Sequence, residues 1–274
     1  MDFKKDFTGT SFVLVGFLHF MKLLKDIYKR RELLWNLILR NLKIRYKGSV
    51  LGFFWSLLDP LLMMLVYLVF MKLMKFSVNL PVLLIGVVVW QFFVICANDS
   101  ISIVTGSTNL VKKVYFPRII LPLAMAVANL INFVLSLGVL FIVLMLFKVP
   151  ISVGYAWLPA VIVLQFVFCL GFSFVISTTN VFFKDTEHLV GVILMTWFFL
   201  TPIIYPIEKI PVEYLSVYFL NPMASLITLY RHCFLGTPIP CVNSLYLSLG
   251  ITGLVFVVGL AVFSCYQKYF ADEL

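Results

Sequence analysis

Residues 109–122 read NLVKKVYFPRIILP and place three cations, two aromatics and two prolines in 14 positions between two long apolar stretches. Lys112, Lys113 and Arg118 can meet acidic groups, and Tyr115 and Phe116 carry rings that fill pockets. Pro117 fixes the backbone beside them. An aromatic next to an arginine is the chemistry of recognition, not of bond breaking. Two readings stay open on this pattern: an anchor for another protein, or a basic loop whose rings lie at a membrane surface.

Other candidate groups are sparse. Asp59 and Asp99 fall within apolar stretches, where a carboxylate must face protein or water and find a partner; Arg45 and Arg118 are the plausible ones. Structural pairing is the favoured role, because two lone acids make no proton pathway. His19, His188 and His232 are scattered, and the five cysteines lack zinc or redox spacing. Cys233 and Cys241 share one segment, where a disulfide or two free thiols both fit. No G-x-x-x-x-G-K-[ST], H-E-x-x-H or G-x-S-x-G occurs. The chain therefore has no expected catalytic or metal-binding residues, and energy for uphill work would have to enter through another chain.

The elements around these groups follow from composition. Of 274 residues, 62% are hydrophobic and 12% charged, with mean hydropathy +1.07, against roughly 25% charged in a soluble domain. Six stretches are long enough for helical spans: 50–71, 80–104, 119–147, 156–181, 189–205 and 244–266. None alternates with period 2, so a β-barrel is not expected. The expected fold is an all-α membrane protein, divided into an N-terminal segment 1–49 and a six-span transmembrane domain 50–274. With both termini cytoplasmic, only Lys72, Lys75, Lys148, Lys209 and Arg231 fall outside, leaving 16 of the 21 cations inside. The net charge of +9 is thus mostly a topology signal, and nucleic acid is not an expected partner.

Two flanking segments remain. RRELLWNLILRNLKIRYKGS precedes the first span with Leu34, Ile38 and Leu42 at helical spacing and Arg40, Lys43 and Arg45 as its basic component. It reads as an amphipathic interface helix, either a lipid anchor or a platform for a cytoplasmic partner. Residues 206–243 are too interrupted to span and too apolar for a free loop. Short re-entrant helices packed on other protein would satisfy their backbone, with a break at Asn221-Pro222. Aromatics reach 16% of the chain; Tyr67, Trp197, Phe198 and Tyr205 on spans one and five either face lipid or line a passage on which sugar rings stack.

Several stretches in order resemble the membrane subunit of type-2 ABC exporters, in the polysaccharide branch that handles O-antigen, capsule and teichoic acid. RYKGSVLGFFWSLLDP resembles that family's approach to span one, LVKKVYFPRIILP its coupling helix, and NVFFKDTEHLV its second cytoplasmic turn. TPIIYP and NPMASLITLYR resemble its outer gate region. One departure is Lys184-Asp185, where the family often carries Arg-Asp. The resemblance implies a homodimeric permease of the bacterial inner membrane exporting a lipid-linked polysaccharide. It implies an ATP-binding cassette ATPase as partner, with ATP and magnesium held there and no cofactor in this chain. Lys112, Lys113, Tyr115, Phe116, Pro117, Arg118, Lys184 and Asp185 would couple to that ATPase, while Asn221, Pro222 and Arg231 would form an outer gate. A type-2 exporter of a smaller lipid or drug is the near alternative and an integral membrane transferase the distant one.

Overall fold

The computed structural model describes residues 28–49, 51–73, 79–113, 116–150, 152–207, 210–239 and 242–274. The described residues are almost entirely helical, with no strand among them. The helices are α1 (Arg31–Tyr46), α2 (Trp55–Leu73), α3 (Leu80–Ser102), α4 (Thr108–Lys113), α5 (Ile120–Leu146) and α6 (Leu158–Phe182). They continue with α7 (Thr186–Phe199), α8 (Val212–Tyr218), α9 (Pro222–Leu235), α10 (Val242–Tyr266) and α11 (Phe270–Glu273). An all-α membrane fold is what the unbroken apolar runs dictate: only a helix satisfies its backbone polar groups within one segment.

Among the described residues four helical stretches are long and apolar enough to cross a membrane: Leu80–Ser102, Ile120–Leu146, Val153–Phe182 and Tyr246–Glu273. The first and fifth expected spans are helical but shorter in their apolar parts, Leu58–Phe70 and Thr186–Phe199. The fifth also starts earlier than hydropathy indicates, because the polar TEH run begins the helix, and stops at Phe199, short of TPIIYP. At 14 residues, α7 is about 21 Å long, against about 30 Å of hydrocarbon.

The centre of the bundle is α3, which packs against α2, α5, α6, α7 and α9. Of its most apolar window 72% is buried, against 22% for Tyr246–Glu273, so α3 is core and the last helix is rim. Leu83, Leu84, Ile85, Val89 and Phe93 of α3 lie in the larger apolar cluster with Phe168, Leu226, Ile227 and Tyr230. Two side-chain amides inside the bundle are tied to backbone: Gln165 Nε2 donates to the Val89 carbonyl at 2.8 Å and Asn180 Nδ2 to the Ile101 carbonyl at 2.7 Å.

A second cluster joins Leu37 and Ile38 of α1 to Val111 of α4, Phe116, Ile120 and Phe174, and to Phe263 and Phe270 near the C-terminus. Leu33, Leu34 and Leu42 pack on its edge. The apolar stripe expected on α1 is therefore real, and it packs on this chain's own helices, chiefly α5. The SFVLVGFLHF stretch lies outside the described residues.

Helices α6 and α10 share the most extensive contact, which small residues permit. A Cβ on Gly171 would stand 2.5 Å from the Phe256 Cα, and one on Gly259 would run into the Gly171 carbonyl. Gly259→Val is expected to force the helices apart and destabilise the chain by about 1–3 kcal/mol. Gly253→Ala on the same helix meets nothing within 4 Å and should be neutral or stabilising by up to about 1 kcal/mol. Thermal unfolding of both variants in detergent checks the pair; equal melting shifts would refute the close approach as their cause.

Candidate functional site

The candidate residues gather at the two ends of the bundle. At the end that carries α1, the chain between α3 and α5 turns through Thr105–Ser107 and the six-residue α4 before Phe116 and Pro117. Lys112 and Lys113 are exposed on α4. The ring of Phe116 is not: it is 6% exposed and sits in the second cluster with residues of α1, α5 and α6. Arg118 is half-buried and donates to the Gln267 carbonyl near the C-terminus, not to either intramembrane acid. Tyr115 lies outside the described residues. Lys184 and Asp185 are exposed in the turn between α6 and α7 at the same end.

The acid partnership expected for Arg45 is present. Arg45 Nη2 donates to Asp99 Oδ2 at 2.8 Å, and Asn129 Nδ2 donates to the same oxygen at 2.9 Å. One carboxylate of α3 thus holds α1 on one side and α5 on the other. Arg40 Nη2 reaches Ser107 Oγ at 3.3 Å, and Lys43 is exposed. Asp59 lines a cavity of about 650 Å³ together with Arg45 and Asp99. The loop between α3 and α5, the basic helix and the C-terminal turn are therefore mounted on one apolar cluster and one charge pair.

At the opposite end, Asn221 is the hub. Asn and then Pro form a strong helix start: Asn221 Oδ1 accepts from the Met223 amide at 3.0 Å and Pro222 takes the first helical position of α9. The same oxygen accepts from Trp197 Nε1 at 2.9 Å. The amide Nδ2 donates to Thr201 Oγ1 at 2.9 Å and to the Leu200 carbonyl at 3.2 Å. Arg231 of α9 is 4% exposed. Its Nε donates to the Val82 carbonyl at 3.1 Å, its Nη2 to Ile203 at 3.1 Å and its Nη1 to Tyr205 at 3.4 Å. The Tyr205 and Tyr218 hydroxyls share a hydrogen bond, and burial, then that bond, push the Tyr218 hydroxyl up.

This arrangement brings together residues that the sequence assigns to two separate roles. Trp197 and Tyr205, candidates for a passage, are bonded to Asn221 and Arg231, candidates for a closure. The Trp197 ring also packs edge-on to Phe93, with centroids 5.2 Å apart, and lies near Phe172 at 5.8 Å. Phe198 meets Trp90 at 5.9 Å, and Tyr67 is half-buried at the edge of the larger cluster. Cys233 is buried with a free thiol that burial pushes up to about 11, an unreactive state; Cys241 lies outside the described residues.

Sequence reasoning missed Gly86, Asn129, Thr201 and Tyr218. A Cβ on Gly86 would sit 2.9 Å from the Ile203 carbonyl and 3.2 Å from Arg231 Nη2, so only glycine admits both. A lone glycine in a hydrophobic run carries that signal weakly.

The comparison with protein families agrees with this geometry. A family model described as ABC-2 type transporter matches residues 32–235. The chain is similar to an O-antigen export system permease protein RfbA of Myxococcus xanthus, 33% identical over 259 residues, which cover 93% of this chain and 100% of that one. It is also similar to a protein of the same name in Klebsiella pneumoniae, 34% identical over 241 residues, 86% of this chain and 92% of that one.

Two substitutions test the Asn221 and Arg231 hydrogen-bond network. Asn221→Ala removes a helix cap and leaves the Trp197 N–H without its acceptor, for an expected loss of about 2–4 kcal/mol. Arg231→Lys should fail to restore stability, because one ammonium on a flexible stem cannot match a planar fork aimed at three carbonyls. Thermal unfolding of the detergent-solubilised chain reads both, and an Arg231→Lys protein as stable as the parent would show that only charge is needed.

Proposed function

Since the chain belongs to the ABC-2 type transporter family, we propose that it is the permease subunit of an ABC exporter that carries a lipid-linked polysaccharide outward across the bacterial cytoplasmic membrane. The observation that carries this reading is its similarity, over 93% of its length, to a permease named for O-antigen export. An exporter of a smaller lipid or drug is the second reading within the same family.

In this proposal the chain crosses the membrane six times with both termini in the cytoplasm, as the cation asymmetry favours. Two copies pair, and an ATP-binding cassette ATPase supplies the energy; ATP and magnesium are held by that subunit. The α1 end faces the cytoplasm, so Lys112, Lys113, Lys184 and Asp185 are presented to the ATPase. Tyr115 belongs to the same contact set. Phe116, Pro117 and Arg118 act from behind it: the buried ring and the bond to the C-terminal turn hold the loop stiff. A stiff loop moves the helices it is rooted in, whereas a soft one would absorb the displacement. The Arg45–Asp99 pair ties the interface helix, with Arg40 and Lys43, to the same body.

The path of the polymer runs beside α2 and α7. Tyr67, Trp197, Phe198 and Tyr205 lie on or next to these helices, and ring faces suit the C–H faces of sugars while letting a chain slide. Asn221, Pro222 and Arg231 close the outer end at rest.

Surface and core contributions separate cleanly by mutation. Lys112→Glu with Lys113→Glu leaves the apolar cluster alone, so the chain should insert normally but lose co-purifying ATPase and surface polysaccharide. Phe116→Ala should destabilise the chain itself by about 3–5 kcal/mol. If the double charge reversal keeps full ATPase recovery and full surface glycan, the loop is not the docking element.

A further inference from the structure

A cavity of about 330 Å³ lies beneath α1, between that helix and α3, the turn that follows it, and α5. Its size falls at the lower edge of ordinary ligand pockets, about 300–1,000 Å³. Its polar wall includes Arg40, Asn41, Arg45, Ser107 and Asn129, and also the carboxylate of Asp99. Two of these groups are left over by the fold. Arg40 Nε and Asn41 Nδ2 are buried, and neither has a hydrogen-bond partner among the described residues. Both are donors, and a buried donor without an acceptor is costly enough that proteins seldom keep one. Two such donors on consecutive residues of one cavity ask for an acceptor from elsewhere.

The charge balance says what kind. Arg45 is neutralised by Asp99 at 2.8 Å. Among the described residues Arg40 has only the neutral hydroxyl of Ser107. One guanidinium of the cavity is therefore uncompensated, and the missing group carries one negative charge and several acceptor oxygens. Arg40 and Ile44 also line an adjoining open groove with Lys43 and Lys47, so the cavity communicates with a basic surface. Ile44 and Trp35, exposed at 59% and 55%, give that surface apolar footing. A guanidinium fork fits phosphate, and anionic lipid heads crowd the cytoplasmic leaflet at the depth of an interface helix.

We infer that the α1 cavity binds the phosphate of an anionic membrane lipid, which completes the hydrogen bonding of Arg40 and Asn41 and fastens the interface helix to α3 and α5. A free phosphate ion shares this chemistry and is the other source to test.

Native mass spectrometry of the full-length chain, stripped of lipid and titrated with phosphatidylglycerol or phosphatidylcholine, decides the matter. One phosphatidylglycerol per chain should be retained in preference to phosphatidylcholine. Asn41→Leu and Arg40→Gln should each weaken that retention by roughly tenfold or more. Asn41→Leu removes no hydrogen bond made within the described residues, so lipid-free thermal stability should be unchanged or higher, which guards against a folding defect. Retention that is equal in parent and variants, or equal for the two lipids, overturns the proposal. Stabilisation by inorganic phosphate that displaces the lipid assigns the site to the free ion and overturns the lipid.

Discussion

A helix that ends inside an apolar layer leaves four carbonyls without partners, and no water is there to take them. The rest of this structure is arranged around that constraint at Phe199. The helix α7 stops after 14 residues, and the chain bends through 201–205 before it can leave. The last carbonyls of α7 are met locally, that of Trp197 by the Thr201 hydroxyl and that of Phe199 by the Tyr205 hydroxyl, while the carbonyls of the bend itself, at Leu200, Ile203 and Tyr205, are met from one neighbouring helix, α9, through Asn221 and Arg231. For α9 to deliver them it must itself be buried, and Pro222–Thr228 is buried without interruption. For α9 to be buried the neighbouring helix must leave room, which Gly86 does. A cationic side chain is normally a poor core residue. Here Arg231 is tolerated because its fork addresses three backbone acceptors at once.

Much of this is legible in the sequence, for reasons that differ by residue. A long apolar run can bury its backbone only as a helix, so α3, α5, α6 and α10 lie close to where hydropathy puts them. Asn221-Pro222 carries a local rule, a cap followed by a preset first turn, and the helix begins there. Arg45 and Asp99 are pairable because a carboxylate in an apolar span has few alternatives. Arg118, equally plausible by depth, goes to the Gln267 carbonyl instead, and only tertiary packing decides between two basic residues. Phe116 shows the same limit. A ring in a basic loop is as consistent with a partner's pocket as with the chain's own, and here it enters its own. Hydropathy puts Trp197 on the right helix, but its bond to Asn221 spans a bend that no periodicity describes.

The two ends of the molecule are linked by covalent geometry. The exposed turn at Lys184 and Asp185 leads directly into α7, and α7 leads directly into the bend that Asn221 and Arg231 hold. A short helix transmits displacement with little loss, and α7 touches the core mainly through Val190 and Leu194, with Leu189, Val192, Ile193 and Met195 exposed. It is thus a rod lightly held along its length and firmly held at one end. Under the proposed function, a push by the ATPase at the turn would be felt as tension in the bonds of Asn221 and Arg231.

The difference between six expected spans and four full-length ones has a related physical origin. Among the described residues four helices meet the length and hydropathy of a lipid-surrounded span; α7, at 14 residues, does not, and α2, at 19 residues, has only a shorter apolar part, Leu58–Phe70. The usual requirement of about 20 apolar residues holds for a helix exposed to hydrocarbon on its free sides. It relaxes where a helix borders other protein or a water-filled passage, since polar backbone and broken ends can then be satisfied. Both helices present open apolar faces in a single chain: Leu62, Leu65, Val66 and Val69 on α2 are about half exposed, and Val192, Ile193 and Met195 on α7 are half to two-thirds exposed. If a second copy and a polymer path cover those faces, neither helix needs a full bilayer's length of hydrocarbon contact. Under the proposed function the shortness of α7 then suits a place beside the passage, because a polar chain can cross only where the wall is not required to satisfy lipid.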